Sequence, residues 1–361
     1  MHTYLASIRH VLDHGNDHPD RTKVGRSSVF GYQERYELDH GFPLVTTRKI
    51  ATKAMVQELL WFIKGETNTT KGDCPKFWDR WAVNDEHIDS YITEATKDNP
   101  PTEEQRKVLA LRLADQYKGS IGPMYGNVWR NAPVTQEVVR AERTLEQIPS
   151  DKLKLYQEEY EELVFLNREK EPIPFPQYAN NRYWQSIDQL NELIINLKER
   201  PYSSRHCVTA WIPEYVPPET ISPQQAVLDG FGCLAACHAF FQFCVRPSRD
   251  SAQLTLDLQL YLRSSDTLIG KPYNIAQYAL LQSMIAQVVN MKPGTFILTT
   301  GDMHIYSNQE DMVFEQLDRE PRKRPTLHLN PEVTDLFKFT LEDIVIDGYD
   351  PHPPIDYPVA V

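Results

Sequence analysis

The chain lacks most of the features that would place it outside the ordinary globular class. Only five of its 361 residues are cysteine (Cys74, Cys207, Cys233, Cys237 and Cys244). Their odd number and lack of a disulfide-framework spacing point to a reducing compartment. No apolar run approaches the roughly 20 residues that span a bilayer. The opening MHTYLASIRHVLDHG is a mixed polar and apolar helix pattern without the apolar stretch of a signal peptide. Positive charge is short as well: 38 Lys and Arg against 50 Asp and Glu leave a net charge of −12. That balance argues against a general nucleic-acid binder. It stays compatible with a small anionic ligand, because a few local arginines hold a phosphate inside an acidic protein. Repeats and low-complexity runs are absent too. With 41% hydrophobic and 24% charged residues, the composition is that of a soluble globular protein. The expected location is the cytoplasm (a host's, if the chain is viral).

Residues 1–85 read as one compact piece. A helix pattern opens it, and 28–46 alternates like strands around the turn signal Asp39-His40-Gly41. Residues 52–64, TKAMVQELLWFIK, are apolar nearly all round and so predict a buried helix with Glu58 in its middle. Residues 86–120 are polar and helix-prone, broken at Asn99-Pro100-Pro101. A second stretch, 131–180, is dense in Glu, Lys, Arg and Gln, and both read as insertions on a core. From 183 the core resumes with an amphipathic helix whose face is Ile187, Leu190, Leu193, Ile194 and Leu197. Strands are expected at 206–211, 238–245, 253–261 and 295–300, and a long apolar helix at 274–291. Of the strands, 253–261 is the cleanest, with leucine at every second position from Leu254 to Leu260. The mixture of hairpin-like and crossover spacings predicts an α+β fold with a substantial mixed sheet.

Several residues stand out chemically, each with an ordinary alternative. Cys237, in CLAACHAFFQF, reads either as a packed core cysteine or as a nucleophile at a strand edge whose thiolate is favoured by nearby arginines. Cys233, Cys237 and His238 lack the spacing of a zinc site, so no metal is expected. Arg21, Arg205 and Arg263 are candidate phosphate ligands, and Arg263 heads the hydroxyl-rich RSSD. Asn274, in GKPYNIAQY, either caps the following helix or reads a base edge with its amide. Glu58 is a salt-bridged core carboxylate or a catalytic one with a raised pKa. Trp78 and Trp81, and His304 with Tyr306, fit a core or a strand end as well as a site.

Taken in order, however, the blocks of the chain resemble the thymidylate synthase family. The matching stretches are DRT (20–22), FPLVTT (42–47), ELLWFIKGETN (58–68), WDRWA (78–82), GPMYGNVWR (122–130), CHAFFQF (237–243), RSSDTLIGKPYNIAQYALL (263–281), GDMHIYSN (301–308) and the C-terminal YDPHPPIDYPVAV. The resemblance implies a single domain over 1–361, interrupted by the insertions at about 86–120 and 131–180. It also implies a large mixed β-sheet flanked by helices, with one sheet face packed in a homodimer. Its activity would be transfer and reduction of a one-carbon unit from the co-substrate 5,10-methylenetetrahydrofolate to C5 of dUMP, giving dTMP and dihydrofolate. Neither nucleic acid nor membrane would take part.

Carried over to this numbering, Cys237 would add to pyrimidine C6, with Glu58, Tyr125, Asn274 and Asp266 completing the catalytic set. Arg21, Arg263 and Ser264 would hold the phosphate, joined by Arg205 from across the dimer. Asn274 would pair with the uracil edge, and His304 and Tyr306 with the sugar hydroxyl. Trp78, Trp81, Asp266, Gly270, Tyr273 and the Val361 carboxylate would form the folate pocket. Departures from the family pattern are Ser204 in place of an arginine, Ala51 of a histidine, Ala236 of a proline, Leu262 of a glutamine and Ile212 of an asparagine, with a longer loop at 213–232. Two alternatives stay open beside the synthase. One is a dUMP hydroxymethylase, in which water captures the methylene intermediate; the other is a non-catalytic nucleotide-binding relative.

Overall fold

The computed structural model describes residues 1–19, 23–137, 182–247 and 253–359. These divide into two units, Met1–Asn131 with Asp188–Val361, and Ala132–Ile187. In chain order, α1 (His2–His14) buries Tyr4, Leu5, Ile8 and Val11 on the single stripe that a period of 3.6 residues creates. Strands β1 (Asn16–His18) and β2 (Arg26–Glu37) follow. Beyond the turn at Gly41, residues 42–46 form no strand, contrary to the alternation of their sequence. Their backbone is satisfied by other segments instead: Phe42 N–H donates to Pro325 O at 2.9 Å, and Thr46 O accepts from His352 N–H at 2.8 Å. Helix α2 (Thr52–Ile63) is buried over most of its surface, Glu58 included.

The polar stretch after it forms α3 (Asp85–Ala95) and α4 (Glu103–Tyr117), separated at the Asn99-Pro100-Pro101 break. Asn84 with His87 and Thr102 with Gln105 close reciprocal caps on their N-termini. Next comes the short α5 (Tyr125–Arg130). Two glycines fix how it sits. A Cβ on Gly126 would lie 2.7 Å from Phe62 O of α2, and one on Gly122, at φ +72°, would lie 2.2 Å from Phe231 O. The chain on either side of Tyr125 therefore packs closer than any side chain allows.

In the second unit, β3 (Ala132–Glu137) and β4 (Arg182–Ile187) pair antiparallel, Ala132 opposite Ile187. Ile187 thus ends a strand rather than opening the amphipathic helix. Most of the expected insertion at 131–180 lies outside the described residues.

Helix α6 (Gln189–Glu199) buries Leu190, Leu193, Ile194 and Leu197. It leads to β5 (Cys207–Thr209), the short α7 (Pro223–Leu228), β6 (His238–Pro247) and β7 (Leu254–Asp266). A long helix α8 (Gly270–Val288) then crosses to β8 (Lys292–Tyr306), followed by α9 (Glu310–Leu317) and the hairpin of β9 (Thr326–Leu329) with β10 (Ile344–Asp347).

Six strands form one mixed sheet in the order β1-β2-β8-β7-β6-β5. Only β7 and β8 run parallel, as the α8 crossover between them requires. The other neighbours are antiparallel. The alternation in β7 places Leu256, Leu258, Leu260 and Leu262 in the core, each fully buried. Helix α8 covers them with Ala276, Ala279, Leu280, Met284 and Ile285, also fully buried. An apolar helix on an alternating strand removes both surfaces from water at roughly 25 cal/mol per Å². The result is the α+β architecture with a large mixed sheet and flanking helices. Among the described residues, no helix is long and apolar enough to cross a membrane.

Candidate active site

Cys237 is the last residue before β6, partly buried, at the seam where β6 meets β7. Arg263 N–H donates to Cys237 O at 2.8 Å, so the backbone pairing of the two strands brings the arginine to the thiol. The guanidinium donates to Ala235 O and Ala236 O, at 3.2 Å each, and reaches Cys237 Sγ at 3.7 Å. On its other side it lies over the ring of Trp211, 5.5 Å from the centroid. Burial pushes the Cys237 thiol above its ordinary pKa, and the charge of Arg263 pulls against that. The expected pull of an arginine toward the thiolate is therefore present, but burial outweighs it and the cation only limits the rise.

Tyr125 opens α5, buried, and its hydroxyl accepts from Cys237 N–H at 3.0 Å. Burial drives its own ionisation well above the usual range, so Tyr125 stays a neutral phenol. His238 stacks on the Tyr125 ring at 4.5 Å between centroids. Burial holds its pKa down at about 3, so the imidazole is neutral and its nitrogens differ in role. Asn274 lies 2.7 Å from it, Nδ2 to Nε2. Because α8 begins at Gly270 with Ile269 as its cap residue, Asn274 sits inside the helix and does not cap it.

Glu58, on α2, is buried. Trp78 Nε1 donates to its Oε1 at 2.7 Å, and Gln277 of α8 donates to Oε2. Burial raises the carboxyl to about 7, against the pull of those two donors. No cation pairs with it among the described residues, so the salt-bridge alternative falls away. Trp78 and Trp81 lie on a 3₁₀ turn, Lys76–Trp81, with ring centroids 5.3 Å apart; Trp78 is buried and Trp81 is partly open to solvent.

A second group lies along the ends of β7 and β8. Register pairs Ser264 with Asp302 and Asp266 with His304, which puts these side chains on one local face. His304 meets Tyr306 edge to face at 5.0 Å. Asp266 Oδ1 accepts from Leu268 N–H and Ile269 N–H, both at 3.0 Å, and so shapes the turn into α8 ahead of Gly270. Gln309 bridges Asp266 Oδ2 and Pro358 O, at 3.1 Å each, tying the C-terminal segment to the site. Tyr273 Oη accepts from Ala51 N–H at 3.2 Å.

The structure thus brings Cys237, Tyr125, Arg263 and Asn274 into one connected row, linked to Glu58 through Trp78, whose ring lies 6.5 Å from that of Tyr125, with Ser264, Asp266, His304 and Tyr306 on adjoining strand ends. Arg205 is exposed on the loop before β5, its N–H donating to Ser203 Oγ at 3.2 Å. Arg21 and Val361 lie outside the described residues. Sequence reasoning weighed His238 only as a metal ligand and passed over Gln277. Adjacency to Cys237 was a signal for the first; nothing local marks the second. Among the described residues, no group of His, Cys, Asp or Glu is arranged to hold a metal ion.

A thiol beside a guanidinium, a buried carboxyl with a raised pKa and a nearby amide form a site equipped for covalent chemistry on a planar anionic substrate. The family model described as thymidylate synthase matches residues 2–361, and the chain belongs to that family. It is a family of one-carbon transferases that act on dUMP with methylenetetrahydrofolate as co-substrate.

Proposed function

We propose that the chain is a thymidylate synthase that converts dUMP and methylenetetrahydrofolate to dTMP and dihydrofolate. The observation that carries this reading is the row Arg263–Cys237–Tyr125–His238–Asn274, held by contacts of 3.7, 3.0, 4.5 and 2.7 Å. In it the sulfur of Cys237 bonds to pyrimidine C6, and the electron pair of the C5–C6 double bond moves toward C5 and O4. Splitting one hard substitution into addition and elimination is what a nucleophile with a cation beside it is suited to. The Asn274 amide presents an acceptor and donors to the uracil edge. Glu58, with a carboxyl near 7, both gives and takes protons at neutral pH. Tyr125 assists removal of the C5 proton.

Arg21, Arg263 and Ser264 hold the phosphate in this reading, with Arg205 reaching it across a homodimer. His304 and Tyr306 take the sugar hydroxyl. Trp78, Trp81, Asp266, Gly270, Tyr273 and the Val361 carboxylate line the folate pocket. That assignment is supported by the partly open Trp81 ring, which offers a stacking face. Asp266 supports it too, with acceptor capacity beyond its contacts to Leu268, Ile269 and Gln309. The folate supplies the carbon and the reducing hydride. The homodimer is supported by a sheet face that carries Gln33, Arg35, Gln259, Tyr261 and Phe240 in solvent. Light scattering would settle it, a monomer at working concentration removing the Arg205 role.

A second reading, dUMP hydroxymethylase, is favoured by Ala51, a small exposed residue beside Tyr273 on the folate side. Any added access for water there favours hydration over reduction. Mass spectrometry of the nucleotide after incubation with dUMP and methylenetetrahydrofolate separates the two, with absorbance followed for dihydrofolate. A methylated product with dihydrofolate is expected. A hydroxymethylated product without it selects the second reading, and wild-type behaviour of Cys237→Ala in every assay removes both in favour of a non-catalytic binder.

A further inference from the structure

Gln277 lies on α8 three residues past Asn274, so the two amides share one face of the helix a turn apart. It is 1% exposed. Its Nε2 donates to Glu58 Oε2 and, at 3.3 Å, to Met55 O, one turn ahead of Glu58 on α2. A backbone carbonyl only accepts, so the Met55 contact settles which end of the amide faces α2: the nitrogen. One Nε2 hydrogen goes to Met55 O and the other to Glu58, and both are used.

Trp78 holds the other carboxyl oxygen, Nε1 to Oε1 at 2.7 Å, and an indole nitrogen is a donor only. Each oxygen of Glu58 thus has its own donor, one from the 3₁₀ turn and one from α8. Turning the carboxyl out of that plane would strip two buried donors of their acceptor at once. Among the described residues, the titratable groups that feel the Glu58 charge are Cys74, just ahead of the turn, and Tyr278, beside Gln277 on α8. Burial keeps both neutral, the Cys74 thiol being pushed up to about 12. Neutral donors therefore hold the carboxyl, and they favour its ionised form against burial.

We infer that Gln277 is a positioning residue for Glu58: from the helix face that carries Asn274, its amide holds the carboxyl at Oε2 and ties it to the backbone of α2. The hold on Glu58 rests on the contacts alone; its use in proton transfer rests on the proposed function. In that function, the amide that meets the uracil edge and the amide that sets the proton carrier ride on one turn of one helix. A shift of α8 that moved the base selector would move the carboxyl with it.

Two measurements made without nucleotide test the hold. In side-chain ¹H–¹⁵N NMR of the wild type, the Nε2 signal of Gln277 should move with pH as Glu58 titrates, and should stay still in Glu58→Gln. A signal that ignores the Glu58 titration overturns the inference. Gln277→Met fills the same space without a donor. The infrared band of the protonated Glu58 carboxyl should then titrate about one to two pH units higher than in the wild type. With dUMP and methylenetetrahydrofolate, the inflection that Glu58 contributes to the pH profile of kcat should move up by the same interval. An unmoved titration with kcat lowered equally at every pH would mean that Gln277 only fills space, and overturns the inference. Should Gln277→Met fold poorly, as thermal unfolding would report, Gln277→Leu serves, and the wild-type NMR decides the contact without either variant. Coupled titration in a protein that turns over no dUMP would leave the hold on Glu58 in place and remove the proposed function.

Discussion

Lys271 Nζ lies 2.5 Å from Glu34 Oε2, and both side chains are shut off from solvent. Lys271 also reaches Ser7 Oγ at 2.8 Å and Met303 Sδ at 3.0 Å, and Tyr36 donates to Glu34 Oε1 at 2.9 Å. The pair thereby joins α1, β2, β8 and the first turn of α8, three residues ahead of Asn274. Burial pulls the lysine's pKa down, and the Glu34 carboxylate opposes that.

Removing one member of such a pair leaves the other charge buried alone, which costs about 3–5 kcal/mol. Lys271→Met should lose stability on that scale in urea unfolding. The double variant Lys271→Met/Glu34→Leu should regain most of it, because an apolar pair of similar volume carries no desolvation penalty. A double variant no better than the single one would show that the loss arises elsewhere.

Glu58 makes the stability of the protein depend on pH in a direction opposite to that of a salt-bridged acid. Its carboxyl stands at about 7 in the folded chain against an ordinary value of 4.5. Between those values the folded state holds a proton that the unfolded state has released. The group's contribution is therefore complete below the lower value and is lost as pH rises through the higher one. The difference corresponds to about 3 kcal/mol. Glu58→Gln keeps an acceptor for Trp78 and has no such proton, so the wild type should lose that amount relative to the variant between about pH 4.5 and pH 8. Parallel urea-unfolding curves across that range would mean that the buried carboxyl does not hold its proton.

How far the sequence reaches follows from the range of each signal. The leucines of β7 and the apolar faces of α2 and α6 were readable because a period of two or of 3.6 is a local property. The start of α8 was not. Gly270-Lys271-Pro272 reads as a turn, yet Pro272 falls in the first helical turn, where its missing N–H leaves no bond unmade. Residues 42–46 alternate like a strand but find their partners at Pro325 and His352, far along the chain. Cys237, Glu58 and Asn274 were legible through the order of the blocks around them. Lys271 with Glu34, and Arg26 with His304, were not: each looks like an ordinary surface charge until the start of α8 packs on β2, or β2 pairs with β8, and puts it beside its partner.

Arg263 is the cation that limits how far burial raises the Cys237 thiol. Arg263→Met keeps the aliphatic stem and removes the charge, so the thiol should ionise at higher pH. Alkylation by iodoacetamide at a fixed pH below that value should slow about tenfold for each unit of the rise. Arg263→Lys should fall between the two, because an ammonium restores charge without the fork that reaches both carbonyls. Cys237→Ala identifies the peptide concerned in mass spectrometry. An unchanged rate in Arg263→Met would show that the 3.7 Å contact carries no electrostatic effect on the thiol.

Asn274 sits against an imidazole that stays neutral, with its amide 2.7 Å from His238 Nε2. Uracil presents an N–H at ring position 3 and a carbonyl at position 4, whereas cytosine presents a bare nitrogen and an amino group. An amide meets the first pattern, and a protonated carboxyl meets the second, donating to the ring nitrogen and accepting from the amino group. Asn274→Asp would place a carboxyl where burial and a neutral neighbour both favour the protonated form. The variant should therefore lose kcat/KM for dUMP and gain relative activity on dCMP. Reversing the fit of one buried polar pair is worth roughly one to two orders of magnitude in the ratio. Competition between the two nucleotides at equal concentration measures it directly. A dUMP-to-dCMP ratio unchanged from the wild type would remove Asn274 from base selection, and would leave its bond to His238 a structural contact alone.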